Sequence, residues 1–160
     1  MLALSQWTYI STILCCFNFD ELKPILTPMD PSTRCTTSQS LSTATKYTAM
    51  QNILYQEAVR SLMYAALRTR PNISYAVSQV SYFLSNHGQV HWDAVWQIYR
   101  YLLRMKNLQL TYGGGEKELT GYTDVDGSIT EDHCAILDYA FLIDGGAVSW
   151  SLKRQKLFHS

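Results

Sequence analysis

The residues best suited to chemistry are Asp124 and Asp126, in the run Gly-Tyr-Thr-Asp-Val-Asp-Gly-Ser from Gly121. In an extended strand, residues two apart face the same side, so both carboxylates can converge on a hard cation such as Mg2+, which takes oxygen ligands. The same residue types also make a solvated polar turn, and spacing alone leaves both readings open. Other candidates are weaker. Gly113, Gly114 and Gly115 lack the Gly-x-x-x-x-Gly-Lys-Ser/Thr order of a phosphate loop, and Glu116, Lys117 and Glu118 lead on to a strand instead of a helix. His87 and His91 are separated by a helix break at Gly88, so a capping or packing part is expected for His91 in place of a metal pair. Cys15, Cys16, Cys35 and Cys134 form no Cys-x-x-Cys pair, and His133 beside Cys134 would point to the opposite face of a strand. Reduced, packed thiols are expected. No Gly-x-Ser-x-Gly elbow is present.

The elements that position these residues change type along the chain. Ile10, Ile13, Leu14 and Phe17 follow the spacing of one apolar helix face. Pro24, Pro28 and Pro31 forbid a helix, which predicts an extended, Ser/Thr-rich connection over residues 23–46 that wraps the surface. Tyr55, Ala58, Val59, Leu62, Met63 and Ala66 predict a second helix. A third begins near Pro71 and carries Ile73, Ala76, Val77, Val80 and Leu84. Trp92, Val95, Trp96, Tyr99, Leu102 and Leu103 mark a fourth, with its aromatics at core spacing and not set for base stacking. Four apolar stripes are most simply buried against one another, as a small helical bundle. After Lys106 the period drops to two. Strands are predicted at 108–112, 119–126, 139–143 and 147–152, with Asp144-Gly145-Gly146 as a hairpin turn between the last pair.

Composition sets the bounds. The 160 residues are 47% hydrophobic and 16% charged, which is globular and not disordered. Thirteen basic residues balance thirteen acidic ones, so net charge offers no argument for binding nucleic acid. A local basic patch would draw on Arg60, Arg68 and Arg70, or on Lys153, Arg154 and Lys156. No stretch approaches the roughly 20 apolar residues of a membrane span, and the N-terminus lacks a basic region and cleavage site. An intracellular protein without membrane contact is expected.

Several stretches resemble one family. SLMYAALRTRPNISYAVSQVSYFLSN from Ser61, VHWDAVWQIYRYLL from Val90, LQLTYGGG from Leu108 and GYTDVDGS from Gly121 look like copia-type LTR retrotransposon Pol polyproteins. So do FNFDELKPILTPMDP from Phe17 and DGGAVSWSLKRQ from Asp144. The resemblance covers nearly the whole chain in unbroken order. It implies an α+β chain: residues 1–106 a helical bundle like the thumb or connection of reverse transcriptase, and 107–160 an incomplete RNase H-like sheet. Asp124 then matches the first RNase H carboxylate, which helps hold Mg2+ at the scissile phosphate, and Asp126 matches an acidic neighbour. In the intact family the partners are a template–primer or RNA/DNA hybrid.

The departures from the family matter equally. Its polymerase aspartates fall upstream of Met1 and its RNase H glutamate beyond Ser160, so this chain is expected to be non-catalytic, with no cofactor and weak or no binding of nucleic acid alone. A decayed copy and a clipped reading frame both account for this. The alternatives are a nucleic-acid-binding module using Lys153, Arg154 and Lys156, or a part of an active polyprotein with RNA-directed DNA polymerase and hybrid ribonuclease activity. Arg60 and Arg68 stand where the family commonly has glycine, Asn72 where it has aspartate, and Leu137-Asp138-Tyr139 where it has a Ser-Gly-Tyr type sequence. An arginine at a close helix contact would cost stability.

Overall fold

The structure, a computed structural model, describes residues 1–115, 117–126 and 136–154, the side chains of Asp126 and Arg154 excepted. The chain is α+β and divides into two compact units, a helical one over Gln6–Leu108 and a strand-bearing one that joins Met1–Ser5 to Gln109–Ser160.

The helical unit contains α1 (Trp7–Cys16), α2 (Ala44–Met50), α3 (Tyr55–Arg68), α4 (Ser74–Ser81) and α5 (Gln89–Arg104). Most of each apolar stripe read from the sequence is buried, although Met63 of α3 and Trp96 of α5 stay exposed. Ile10, Ile13 and Leu14 of α1 meet Val59, Leu62 and Ala66 of α3, Val77 and Val80 of α4, and Val95, Ile98, Tyr99 and Leu102 of α5 in one core. Burying side chains of this size stabilises by about 1.5–3 kcal/mol each before the entropy of ordering them is set against it. Two tyrosines keep their polar tips satisfied inside that core. Tyr55 Oη donates to the Val80 carbonyl at 2.7 Å, and Tyr99 Oη to that of Ala58 at 3.1 Å. Burial pushes both phenols well above the ordinary tyrosine range. Phe19 stacks on Tyr99 with centroids 4.5 Å apart and closes the bundle beside α1.

Two local readings need correction. The connection over 23–46 is not extended throughout: Thr37–Gln39 form a 3-10 turn, and Ala44–Lys46 already belong to α2. The three prolines forbid a helix only up to Pro31. Beyond them, Gln39 Oε1 accepts the Thr36 N–H at 2.9 Å, and Thr43 stands in the extended backbone of an N-cap. The connection does wrap the surface, packing Ile25, Met29 and Cys35 against the core. The third helix is split as well, since Pro71–Ile73 form a 3-10 turn ahead of α4, and α4 ends at Ser81, short of Leu84.

In the strand unit, β1 (Leu2–Leu4) pairs antiparallel with β2 (Leu110–Tyr112). Residues 1–5, which periodicity assigned to no strand and left with the helical part, thus belong to the strand unit. Three further strands, β3 (Thr120–Asp126), β4 (Ile136–Ile143) and β5 (Gly146–Arg154), form an antiparallel sheet in the order β3-β4-β5. The β4–β5 turn carries Asp144 at φ 52° and Gly145 at φ 79°, the two left-handed residues of a type I′ hairpin. Tyr112 Oη donates to the Ala147 carbonyl at 2.6 Å, and the Gly113 N–H to that of Asp144 at 3.2 Å, so β2 is tied to this hairpin. Because only glycine holds φ 79° without strain, Gly145→Ala is expected to cost about 1 kcal/mol. Asp144→Asn, which tolerates the left-handed region, is expected to be neutral. Urea unfolding of both variants checks the pair. Among the described residues, no helix is long and apolar enough to cross a membrane.

Candidate functional site

Asp124 lies on β3 with its side chain exposed. The strand forms because Thr120, Tyr122, Thr123 and Val125 are β-favouring types. Its register with β4 places Asp124 directly opposite Asp138, which is half-buried and pairs in turn with Leu152 on β5. Residues directly opposite share a face, with Cβ atoms about 4.5–5.5 Å apart. The row Asp124, Asp138, Leu152 therefore presents two carboxylates side by side and an apolar neighbour. Reasoning from the sequence marked Asp138 only as a departure from the family. Its position across from Asp124 depends on strand register, which a short motif does not carry.

The other anticipated residues fall elsewhere. Val125 pairs with Leu137 and Leu137 with Lys153, so the exposed Lys153 sits one row on from Asp124, on the opposite face of the sheet. The backbones of Asp126 and Arg154 end their strands, each paired with Ile136. Their side chains lie outside the described residues, as does the whole of Lys156. So do Cys134 and His133. The structure thus brings Asp124 together with Asp138, and does not bring it together with Lys153.

The three arginines of the helical unit do not make one surface patch. Arg60 and Arg68 are both exposed on α3, Arg60 within 3.4 Å of Gln56 Oε1 and Arg68 over the Tyr64 ring at 5.3 Å. Neither occupies a close helix contact, so the expected cost of replacing glycine there does not arise from crowding. Arg70 is fully buried. Its Nη2 donates to the Lys106 carbonyl at 3.0 Å, while Nε and Nη1 find no partner among the described residues. Burial lowers its pKa, with the nearby Tyr101 acting the other way.

His91 both caps and packs. It is buried at the start of α5, where its ring accepts the Gly88 N–H and lies against Phe83. His87 stacks on Tyr55 with centroids 4.1 Å apart, and its buried Nε2 has no partner among the described residues. Burial lowers the His87 pKa. A cavity of about 670 Å3 opens beside it, lined by Leu41, Tyr47, Met50, Leu54, Asn86 and His87. Cys15, Cys16 and Cys35 are thiols, but Cys15 and Cys16 are exposed at the end of α1, not packed as expected. Of the aromatics read as core, Tyr99 and Tyr101 are buried, whereas Trp96 stays 40% exposed with its ring against Phe19. Among the described residues, no three His, Cys, Asp or Glu side chains gather where they could hold a metal ion.

No protein-family model matches this chain, and no solved structure does. Nearly the whole chain is similar to one part of retrovirus-related Pol polyproteins of transposons, as a fragment of such a polyprotein would be. Over 155 residues, 96% of this chain, it is 41% identical to the polyprotein from transposon TNT 1-94 of Nicotiana tabacum. Over 157 residues, 97% of this chain, it is 36% identical to that from transposon RE1 of Arabidopsis thaliana. It spans 12% and 10% of the length of these two relatives. It is also 35% identical over 109 residues to secreted RxLR effector protein 161 of Plasmopara viticola, a match covering 67% of this chain and 77% of that protein.

Proposed function

We propose that the chain is a copia-type segment joining the end of reverse transcriptase to the start of RNase H, and that these 160 residues alone do not catalyse hydrolysis. The observation that carries the reading is Asp124, exposed on a strand of an antiparallel sheet that follows a helical unit in the chain. Asp124 then stands for the first carboxylate of the hydrolase site, with Asp126 as its acidic neighbour. Paired-metal hydrolysis needs two cations a few ångströms apart, each with several oxygen ligands. The described donors do not fit that requirement. Asp124 and Asp138 could share one hydrated Mg2+, and the next residue in their row, Leu152, offers no oxygen from its side chain. Asp138, where the family has a Ser-Gly-Tyr type sequence, instead sets a like charge across from Asp124, an arrangement that costs stability in an antiparallel pair.

The test is cleavage of an RNA/DNA hybrid by the purified chain in Mg2+ or Mn2+. The expected result is a rate no higher than that of the Asp124→Asn variant. Turnover by the wild type that this substitution abolishes would overturn the proposal.

A second reading is favoured by the exposure of Lys153, which leaves a cation available to phosphate. On this reading the chain binds hybrid or template–primer through Lys153, Arg154 and Lys156. It requires an affinity that falls with salt and drops when the three are neutralised together. A larger polyprotein containing this segment would carry RNA-directed DNA polymerase and hybrid ribonuclease activity, and the coding sequence flanking the segment tests that directly.

A further inference from the structure

Arg100 holds the start of the long connection between α1 and α2, its Nε donating to the Lys23 carbonyl at 2.7 Å, and a second set of holds lies toward the far end. His91, the third residue of α5, is fully buried. Its Nδ1 lies 2.8 Å from the Gly88 nitrogen, and its Nε2 lies 3.2 Å from the Thr36 carbonyl oxygen. A peptide N–H can only donate and a carbonyl can only accept, so the contacts fix the ring as the neutral tautomer, bare at Nδ1 and protonated at Nε2. Asn86 grips the same segment further on. Its Oδ1 accepts the Leu41 N–H at 3.1 Å, and its Nδ2 donates to the Leu41 carbonyl at 3.2 Å. Between these two holds the backbones nearly touch, since a Cβ on Gly88 would lie 2.1 Å from the Gln39 carbonyl oxygen.

A second proton on the His91 ring has no acceptor in this arrangement. It would set the new N–H against the Gly88 N–H in a site closed to water, with the Phe83 ring stacked at 3.8 Å. Burial is the main cause holding the His91 pKa below the ordinary histidine value; the Thr36 carbonyl acts the other way, and repulsion from His87 adds to the lowering. The other titratable groups around it belong to the same cluster: His87, stacked on Tyr55 of α3, and Cys35, which precedes Thr36 and acts electrostatically on Tyr55. On α5 itself, Asp93 bonds Gln89 on the exposed side.

We propose that His91 is an acid-operated latch, whose neutral ring fastens Thr36–Leu41 to the start of α5 and whose protonation releases that segment while the helical core stays closed. The sign follows from the direction of the shift. A histidine whose pKa is depressed in the latched state contributes stability that is complete above its free value, about 6.5. That contribution is lost as pH falls from there through the latched value. Leu41 also lines the cavity beside His87, so the released segment would carry away part of that cavity's wall.

Hydrogen exchange on the full chain between pH 7.5 and pH 5, corrected for intrinsic rates, tests the latch. Opening of Thr36–Leu41 should rise at least about threefold on acidification, while the α3 amides of Leu62–Ala66 stay unchanged. His91→Gln supplies the glutamine of an ordinary capping box, which accepts the Gly88 N–H and does not titrate, so its segment should stay closed at both pH values. His87→Phe keeps an aromatic ring on Tyr55 and should retain the acid response. A flat wild-type profile, an acid response surviving in His91→Gln, or a response lost in His87→Phe would each overturn the proposal. Should His91→Gln fail to fold, NMR titration of the wild-type ring decides: a midpoint below about 6.5 supports the latch, and one at or above it sinks it.

Discussion

Gly88→Val should be the most damaging single change outside the apolar core, lowering stability by about 3 kcal/mol, or roughly 6–12 °C in Tm for a chain of this size. The backbone at Gly88 has φ −112° and ψ −176°, which any residue adopts, so nothing is lost to backbone strain. The loss is steric. The first side-chain carbon would lie 2.1 Å from the Gln39 carbonyl oxygen and 3.2 Å from its carbon, both backbone atoms that no rotamer change can move. The segment around Gln39 must lift away, and lifting it breaks the holds of Asn86 on Leu41 and of His91 on Thr36. Gly114→Ala is the control, since nothing stands within 4 Å of a Cβ there. Thermal unfolding of the two variants beside the wild type gives the answer. An undiminished Tm for Gly88→Val would show that the connection does not lie on α5 in solution.

Asn72→Asp should act in the opposite direction, stabilising the chain by about 2 kcal/mol at neutral pH. Arg70 is buried with two guanidinium nitrogens unpaired among the described residues, and a buried charge without a counter-charge costs several kcal/mol. Asn72 Nδ2 donates to Tyr101 Oη at 2.7 Å, and Tyr101 is the group that acts electrostatically on Arg70. A carboxylate at position 72 would accept from the same hydroxyl and bring a negative charge to the guanidinium's neighbourhood. Its own pKa would be depressed by that neighbour. The added stability would then be complete above the ordinary aspartate value, near 3.9, and lost as pH falls through the lowered one. Urea unfolding at pH 7 and pH 2.5 should show a gain at the first that shrinks at the second. A loss at pH 7 would mean the carboxylate, at an exposed position, is too far from Arg70 to make up for the lost amide hydrogen bond to Tyr101.

These two expectations draw on different kinds of legibility. That position 72 departs from the family was visible in RPNI as written. That Arg70 beside it is buried was not, and the sequence reading placed Arg70 on the surface with Arg60 and Arg68. An arginine at the end of a helix is usually solvated, but this one is buried, with its Nη2 on the Lys106 carbonyl and the neighbouring Asn72 bonded to Tyr101. Similarly, Asp124 stood out as a strand carboxylate from a short motif, whereas Asp138 did not. Side chains alternate with a period of two, so a slip of one residue between β3 and β4 would send Asp138 to the other face. Local spacing cannot choose between those registers.

The apolar stripes of α1, α3, α4 and α5 and the hairpin turn at Asp144-Gly145-Gly146 followed from the chain itself. Both depend on interactions within a few residues: a helix face repeats every three or four positions, and a left-handed backbone selects glycine or aspartate. The tertiary structure decided which distant groups meet. It paired Leu2–Leu4 with Leu110–Tyr112, laid Thr36 on His91, sealed Arg70 and turned Lys153 away from the face of Asp124. Contacts across such separations are selected by burial and hydrogen-bond satisfaction over the whole unit, and no window of sequence contains both partners.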